Sequence, residues 1–268
     1  MPAVSQALIE FARHHRTQAG PGVEVTVTPR YEIVLQPDFP IPGPNNVSWI
    51  RCRPDEVAEV IREGRAAFAP HHQAFMWLLD PETEPPDFGD NLVRSGIHWD
   101  GDEAAVMVLP IDATVEAHEI PGLEILDGLA DLETFRKADA VNAEAFKSAL
   151  RGDDPQLVAM QERRRLNFVA AGNRRLLLAT MDGEPAGSAG LTLFPPAAAI
   201  LNGGAVREKF RGRGIYHAMV AERLKLAHDA GVEGGLTVWG GHMSAPILAE
   251  LGFEKVGWRR FYLDTSTA

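Results

Sequence analysis

The sequence predicts an α/β (α+β) protein with a mixed central sheet and flanking helices, arranged as two tandem units. Three observations predict this class. Short runs with period-two apolar alternation are interleaved with stretches whose apolar residues recur at helical spacing. The length of 268 residues with 45% hydrophobic content suffices for one large core or two modest ones. A polar stretch without period, residues 112–121, ends in Pro121 and divides the chain into a first unit, 1–120, and a second, 121–268.

In the first unit, residues 5–16 carry a short helical pattern, separated by the Gly20-Pro21-Gly22 breaker from the strands after it. Residues 23–28 and 31–35 alternate as strands, 37–44 form a Pro-rich loop, and 47–52 read as a further strand. Asp55 is placed to cap a helix whose Val57, Val60 and Ile61 make one buried face up to Gly64. Residues 74–79 read as a strand, 88–94 as a helix stopped by Gly96, and 104–109 as another strand.

In the second unit, residues 123–126 read as a strand. Asp131 caps a helix with Phe135, Ala138, Val141 and Ala145 on one side, and 156–168 form a further helix. Residues 176–181 and 186–194 flank Asp182-Gly183, a dipeptide suited to the positive φ angles of a tight hairpin. Residues 197–206 form a strand feeding a loop, Arg211-Gly212-Arg213-Gly214. The helix 215–228 comes next, with Tyr216, Val220, Leu224 and Ala227 sharing a face. Residues 236–239 read as a buried strand. Ser244 caps a short helix with Pro246 in its first turn, Gly252 ends it with Phe253 packing back, and 255–263 close as a strand.

The two units echo each other. AFMWLLDPETEPPDFGDNLVRSGI and GLTVWGGHMSAPILAELGF both read as strand, Trp, Pro-containing loop, short helix, Gly and an apolar residue. Trp77 precedes Gly96 by 19 residues and Trp239 precedes Gly252 by 13, so duplication and shared composition both remain open. Only the second unit has the RGRG loop. A glycine pair on a strand-to-helix turn lets backbone approach a ligand, and the exposed N–H groups with the helix dipole favour a phosphate there.

The order hairpin, strand, Arg-Gly-x-Gly loop, helix, strand and a short helix ending in Leu-Gly-Phe resembles the GNAT acyltransferase superfamily, over roughly residues 122–265. VREKFRGRGIY, the Asp182-Gly183 hairpin and APILAELGFEKVG carry the likeness. The first unit resembles the degenerate half of two-domain GNAT proteins. The resemblance implies an N-acetyltransferase that moves an acyl group, expected to be acetyl, from acetyl-CoA to a primary amine of a small molecule or peptide. It implies that Arg211, Gly212, Arg213, Gly214, Ile215 and Tyr216 cradle the CoA pyrophosphate, and that the Val206 backbone pairs with the pantetheine arm. Ser244 falls near a cofactor-facing position. Two departures stand out: Tyr216 replaces a small residue, and Leu248 lies where many members carry the tyrosine that protonates the thiolate. A non-catalytic acyl-CoA-binding or regulatory protein is the alternative, and a homodimer is left open.

Acyl transfer needs a neutral nucleophile, a polarised carbonyl and a proton for the leaving thiolate. His242 is the candidate base, against the plainer reading of a loop histidine bonded locally. Tyr216 is the candidate acid, against the reading of a core tyrosine. Glu208 and the run Arg163-Arg164-Arg165 read as solvated charges, and Ser188 as a strand serine. Cys52, the single cysteine, excludes an internal disulfide and reads as a small core residue. No ATPase phosphate loop or dinucleotide fingerprint is present, and no metal site is expected from the adjacent histidine pairs His14-His15 and His71-His72. The net charge of −11 argues against nucleic acid or an anionic membrane as partner. Without a long apolar span or a leader-like start, the expected location is cytoplasmic.

Overall fold

The computed structural model describes residues 3–148 and 152–268. In chain order its elements are α1 (Gln6–His14), β1 (Glu24–Val27), β2 (Glu32–Leu35), β3 (Asn46–Ser48), α2 (Val57–Phe68), β4 (Phe75–Leu79), α3 (Phe88–Arg94) and β5 (His98–Pro110). Next come β6 (Leu123–Asp127), α4 (Leu132–Ala145), α5 (Pro155–Ala171), β7 (Arg174–Met181), β8 (Glu184–Phe194) and β9 (Ala198–Val206). The last elements are α6 (Ile215–Asp229), β10 (Gly235–Gly240), α7 (Ser244–Glu250) and β11 (Glu254–Asp264). Two compact units result, neither continuous in sequence. The larger takes the chain up to His15, Val106–Trp239 and Ser244–Val256; the smaller takes Arg16–Ala105, Gly240–Met243 and Gly257–Ala268.

The larger unit has a mixed sheet in the order β5-β10-β9-β8-β7-β6. β6 to β9 pair antiparallel, and β10 runs parallel to β9. Asp182 and Gly183, with φ of 50° and 81°, turn β7 into β8, the pair of positive angles whose twist matches paired strands. Asp131 caps α4 through the Thr134 N–H at 2.7 Å, and α4 covers β7, β8 and β9. α5 is tied to α4 through a buried carboxylate, Asp139, which accepts from Gln161 Nε2 at 2.8 Å and from Arg164 Nη2. Arg164 also lies over the Phe135 ring. It is therefore a core residue, not part of a solvated face: on an i, i+3 spacing with Gln161 it falls on the side of α5 that meets α4. α1, capped by Ser5, seats Leu8 and Ala12 against Val106, Val108 and Ala198.

The smaller unit has the strand order β1-β2-β3-β4-β11, with β3 and β4 parallel and the other pairs antiparallel. Its core surrounds Trp77, with Phe68 stacked on Phe75 at 4.1 Å and Phe88 against the indole. The helix beginning at Val57 does not stop at Gly64 but continues to Phe68. That glycine makes room for the indole, since a Cβ there would lie 2.5 Å from Trp77 Cη2. Asp55 does not cap this helix. It lies in a 3-10 turn, Pro54–Glu56, and its carboxylate pairs with Arg53 at 3.1 Å. Cys52 is a core residue whose thiol burial pushes up, which disfavours a nucleophilic thiolate.

The strand, short helix, glycine and strand echo holds at the level of backbone hydrogen bonds. Ile97 N–H donates to Leu92 O and Gly96 N–H to Val93 O; Phe253 N–H donates to Leu248 O and Gly252 N–H to Ala249 O, all at 3.0 Å. Gly96 and Gly252 have φ of 78° and 92°, so both helices end in the same glycine-closed Schellman arrangement.

Candidate functional site

The site is built where β9 leaves the sheet of the larger unit. β9 and β10 are in register only at Ala199 with Leu236 and Ile200 with Thr237. Beyond that point β9 continues to Val206 on its β8 pairing alone, so its other edge is released. The β8 pairing also slips between Ser188 and Gly190, where Ala205 and Asn202 are the partners. The extra residue forms a bulge, and Gly203 takes a φ of 46° that a side chain would strain.

After β9, Arg207 donates its N–H to Ala186 O, a 3-10 turn covers Glu208–Phe210, and the loop of residues 211–214 runs into α6. Gly212 and Gly214 have φ of 72° and 81°, and Gly214 is the N-cap of α6. Among the described residues no backbone carbonyl accepts from the N–H groups of residues 212–217, and the first internal bond of the helix runs from Ala218 to Gly214. These donors lie at the positive end of a 15-residue helix. Arg211 Nε donates to Val206 O at 3.2 Å, and Arg213 lies over the Phe210 ring at 5.6 Å. Both are exposed and neither meets a carboxylate among the described residues, whereas Lys209 is paired with Glu184 and Arg207 with Glu144. The loop thus offers N–H groups without a backbone acceptor and two guanidiniums that meet no carboxylate among the described residues, a donor set that fits a pyrophosphate.

Residues 142–253 match the model of the Acetyltransferase (GNAT) family. The chain carries a GNAT-family domain. Acyl transfer is the general chemistry of that family. No curated protein sequence matches the chain. Among solved structures it is similar to a GCN5-related N-acetyltransferase from Kribbella flavida, with a TM-score of 0.62, 18% identity and coverage of 91% of this chain and 90% of that one. A functionally unknown conserved protein from Staphylococcus epidermidis gives a TM-score of 0.67 at 13% identity, covering 91% of this chain and 94% of that one. A tandem GNAT protein from the clavulanic acid biosynthesis pathway gives 0.58 at 16% identity, covering 92% of this chain and 84% of that one.

Within the GNAT domain the structure gathers Val206, Arg211, Gly212, Arg213, Gly214, Ile215 and Tyr216 at one strand-to-helix turn. Ile215 is buried in the core beneath it, while the Tyr216 ring reaches Gly204 in the bulge, where an added Cβ would lie 3.0 Å from Tyr216 Cε2. Ser244 is the first residue of α7 and half-buried. His242 is exposed and falls in Gly240–Met243, a stretch belonging to the smaller unit. Leu248 is fully buried and Trp239, expected inside, is 45% exposed at the released end of β10. Among the described residues no cluster of His, Cys, Asp or Glu could hold a metal, and no helix is long and apolar enough to cross a membrane.

Three features escaped the sequence reading. The Gly203-Gly204 pair inside a strand is itself a signal for a bulge. Asn142 of α4 donates to Ser188 Oγ at 3.1 Å beneath the sheet, a contact between residues 46 apart that no local pattern announces. Arg223 is 1% exposed although arginine is almost never buried unpaired, and its position three residues beyond Val220 marks it on the apolar face of α6.

Proposed function

We propose that the protein is an N-acetyltransferase that transfers an acetyl group from acetyl-CoA to a primary amine of a small molecule or peptide. The observation that carries this reading is the released edge of β9 leading into unbonded N–H groups at the start of α6. An extended donor laid along that edge can pair with free strand groups while its pyrophosphate meets residues 211–216. Val206 supplies backbone for the pantetheine arm, and Ser244 faces the donor. A β9 N–H polarises the thioester carbonyl and stabilises the oxyanion as the amine attacks, without any charged side chain. His242 takes the proton of the attacking amine and Tyr216 returns one to the departing thiolate. Residues 121–268 carry this chemistry, 1–120 are a degenerate GNAT-like half, and the setting is cytoplasmic.

A thiol-release assay with acetyl-CoA over a panel of primary amines tests the reading. Turnover with at least one amine is expected, and loss of that turnover in His242→Ala. Binding of acetyl-CoA without turnover on any amine would favour the second reading, a non-catalytic acyl-CoA-binding protein, to which the burial of Leu248 at the usual acid position points. Calorimetry on Arg213→Glu is expected to show acetyl-CoA binding weakened on the order of tenfold, since a charge-assisted contact to phosphate is replaced by repulsion. Unchanged affinity would remove the cradle.

A further inference from the structure

A chain of polar side chains crosses three strands of the larger unit's sheet. Arg174 of β7 lies directly opposite Thr192 of β8, and Thr192 lies opposite Ile200, one of the last residues of β9 in register with β10. Leu176 and Leu178, which alternate with Arg174 along β7, pack on Phe135, Ala138 and Phe168, so this is the face covered by α4 and α5. Leu177 belongs to the opposite face, with Met219 of α6. Arg174 Nη1 donates to Thr192 Oγ1 at 2.6 Å, and Asn202 Nδ2 donates to the same oxygen at 2.8 Å and to Ile200 O at 3.2 Å. Because a carbonyl can only accept, the bond to Ile200 O fixes the Asn202 amide and leaves its Oδ1 to accept from elsewhere. Arg174 is half-buried, 5.6 Å from the centre of the Phe168 ring, and meets no carboxylate among the described residues. Burial pushes its guanidinium below the ordinary arginine value, with no acidic neighbour to offset the shift. The group still carries its charge at neutral pH. With Nη1 turned to Thr192, the edge formed by Nε and Nη2 holds no hydrogen bond among the described residues and is not sealed from solvent.

That edge presents two parallel N–H groups, the fork that matches a carboxylate with two hydrogen bonds. A partly buried charge without a partner is costly, and an anion brought by a ligand would relieve the cost. We propose that Arg174 binds a carboxylate of the acceptor while Asn202 Oδ1 accepts from its attacking nitrogen, so that the acceptor class is a primary amine bearing a carboxylate. The inference rests on the acyltransferase reading and narrows its substrate. A donor with its pyrophosphate at residues 211–216 and its arm along the released edge of β9 carries its thioester back toward the place where β9 and β10 part. Asn202 lies two residues past Ile200, at that place. The polar chain therefore begins at the point of attack and leads across β8 to Arg174, on the face opposite α6. Neither side chain makes or breaks a bond in the transfer; both orient the acceptor.

The test compares initial rates with acetyl-CoA for glycine, phenylalanine, β-alanine and γ-aminobutyrate, each beside its carboxamide. The best carboxylate is expected to exceed its carboxamide about tenfold or more in kcat/KM. Arg174→Gln keeps a donor for Thr192 Oγ1 and removes the charge. It is expected to lower kcat/KM for the carboxylate about tenfold through the acceptor KM, with KM for acetyl-CoA within about twofold and the carboxamide rate unchanged. Arg174→Lys is expected to recover part of the loss, since it restores the charge without the fork. Arg174→Met takes the place of Arg174→Gln if the latter shows no cooperative melting. A carboxamide used as well as its carboxylate, or a carboxylate preference that survives in the folded neutral variant, would overturn the proposal. Turnover confined to amines without a carboxylate would overturn it and leave the acyltransferase reading intact. If no amine turns over, calorimetry of the same four carboxylates with CoA present separates the two readings. Binding that Arg174→Gln abolishes would keep the carboxylate site while the acyltransferase reading falls, and no binding would remove the site as well.

Discussion

Asp264 shows how much one buried carboxylate can organise. It is 1% exposed and accepts from Arg65 Nε at 2.9 Å, Ser266 Oγ at 2.6 Å and Trp77 Nε1 at 3.3 Å. Burial alone would raise its carboxyl, but the bonds from Ser266, Arg65 and Trp77 outweigh that and hold it below the ordinary carboxylate value. A depressed folded value means the carboxylate stabilises the protein above its unfolded value and loses that contribution as pH falls through the folded one. Asp264→Asn is therefore expected to cost about 1–3 kcal/mol at neutral pH by urea denaturation, with the gap to wild type closing in the acid range below about pH 4. A gap independent of pH would assign the loss to packing. At the same scale, Gly212 and Gly214 were legible from spacing because their positive φ is a property of the residues themselves. The burial of Arg164 and Arg223 was not, because it depends on helices and strands distant in sequence.

Among elements, α6 and its loop were the most legible and α2 the least. A glycine in a helical pattern serves equally as a stop or as a site of close approach, and only the position of Trp77 distinguishes them. Gly64→Ala is a test at this scale. Alanine has the better helix propensity by about 1 kcal/mol, yet its Cβ would overlap the indole at 2.5 Å. Net destabilisation of about 1–3 kcal/mol is expected from the denaturation midpoint, and a stabilised variant would show that the indole yields freely. The glycine-closed ends of α3 and α7 behave differently from Gly64: there the positive φ and the two backward hydrogen bonds follow from the local sequence, so both stops were read correctly.

For the molecule as a whole, the composition of each unit carries a consequence for dissection. The larger unit includes Val106 and Val108, both fully buried against Leu8, Ala12 and Ala198. Burial of such side chains contributes about 1.5–3 kcal/mol each. Gly235, with φ of 145°, packs so closely that a Cβ would lie 2.2 Å from Leu109 O. A fragment of residues 121–268 lacks these partners and also carries Gly257–Ala268, whose own unit is absent. It is expected to show poor amide dispersion by NMR and a lowered, broadened melting transition relative to the whole chain. A sharply folded fragment would show that the second half is self-sufficient.

The sequence by itself determined the α/β class, the hairpin at Asp182-Gly183, the glycine-closed helix ends and the glycine turn at residues 211–214 that opens α6. Each of these rests on φ preferences and hydrogen bonds within a few residues. The tertiary structure alone decided which unit each stretch of chain completes, where β9 parts from β10, and that Arg223 is buried with its guanidinium on the carbonyls of Met219 and Gly190. Those outcomes depend on pairing and burial between residues far apart in the chain, and no short-range pattern encodes them.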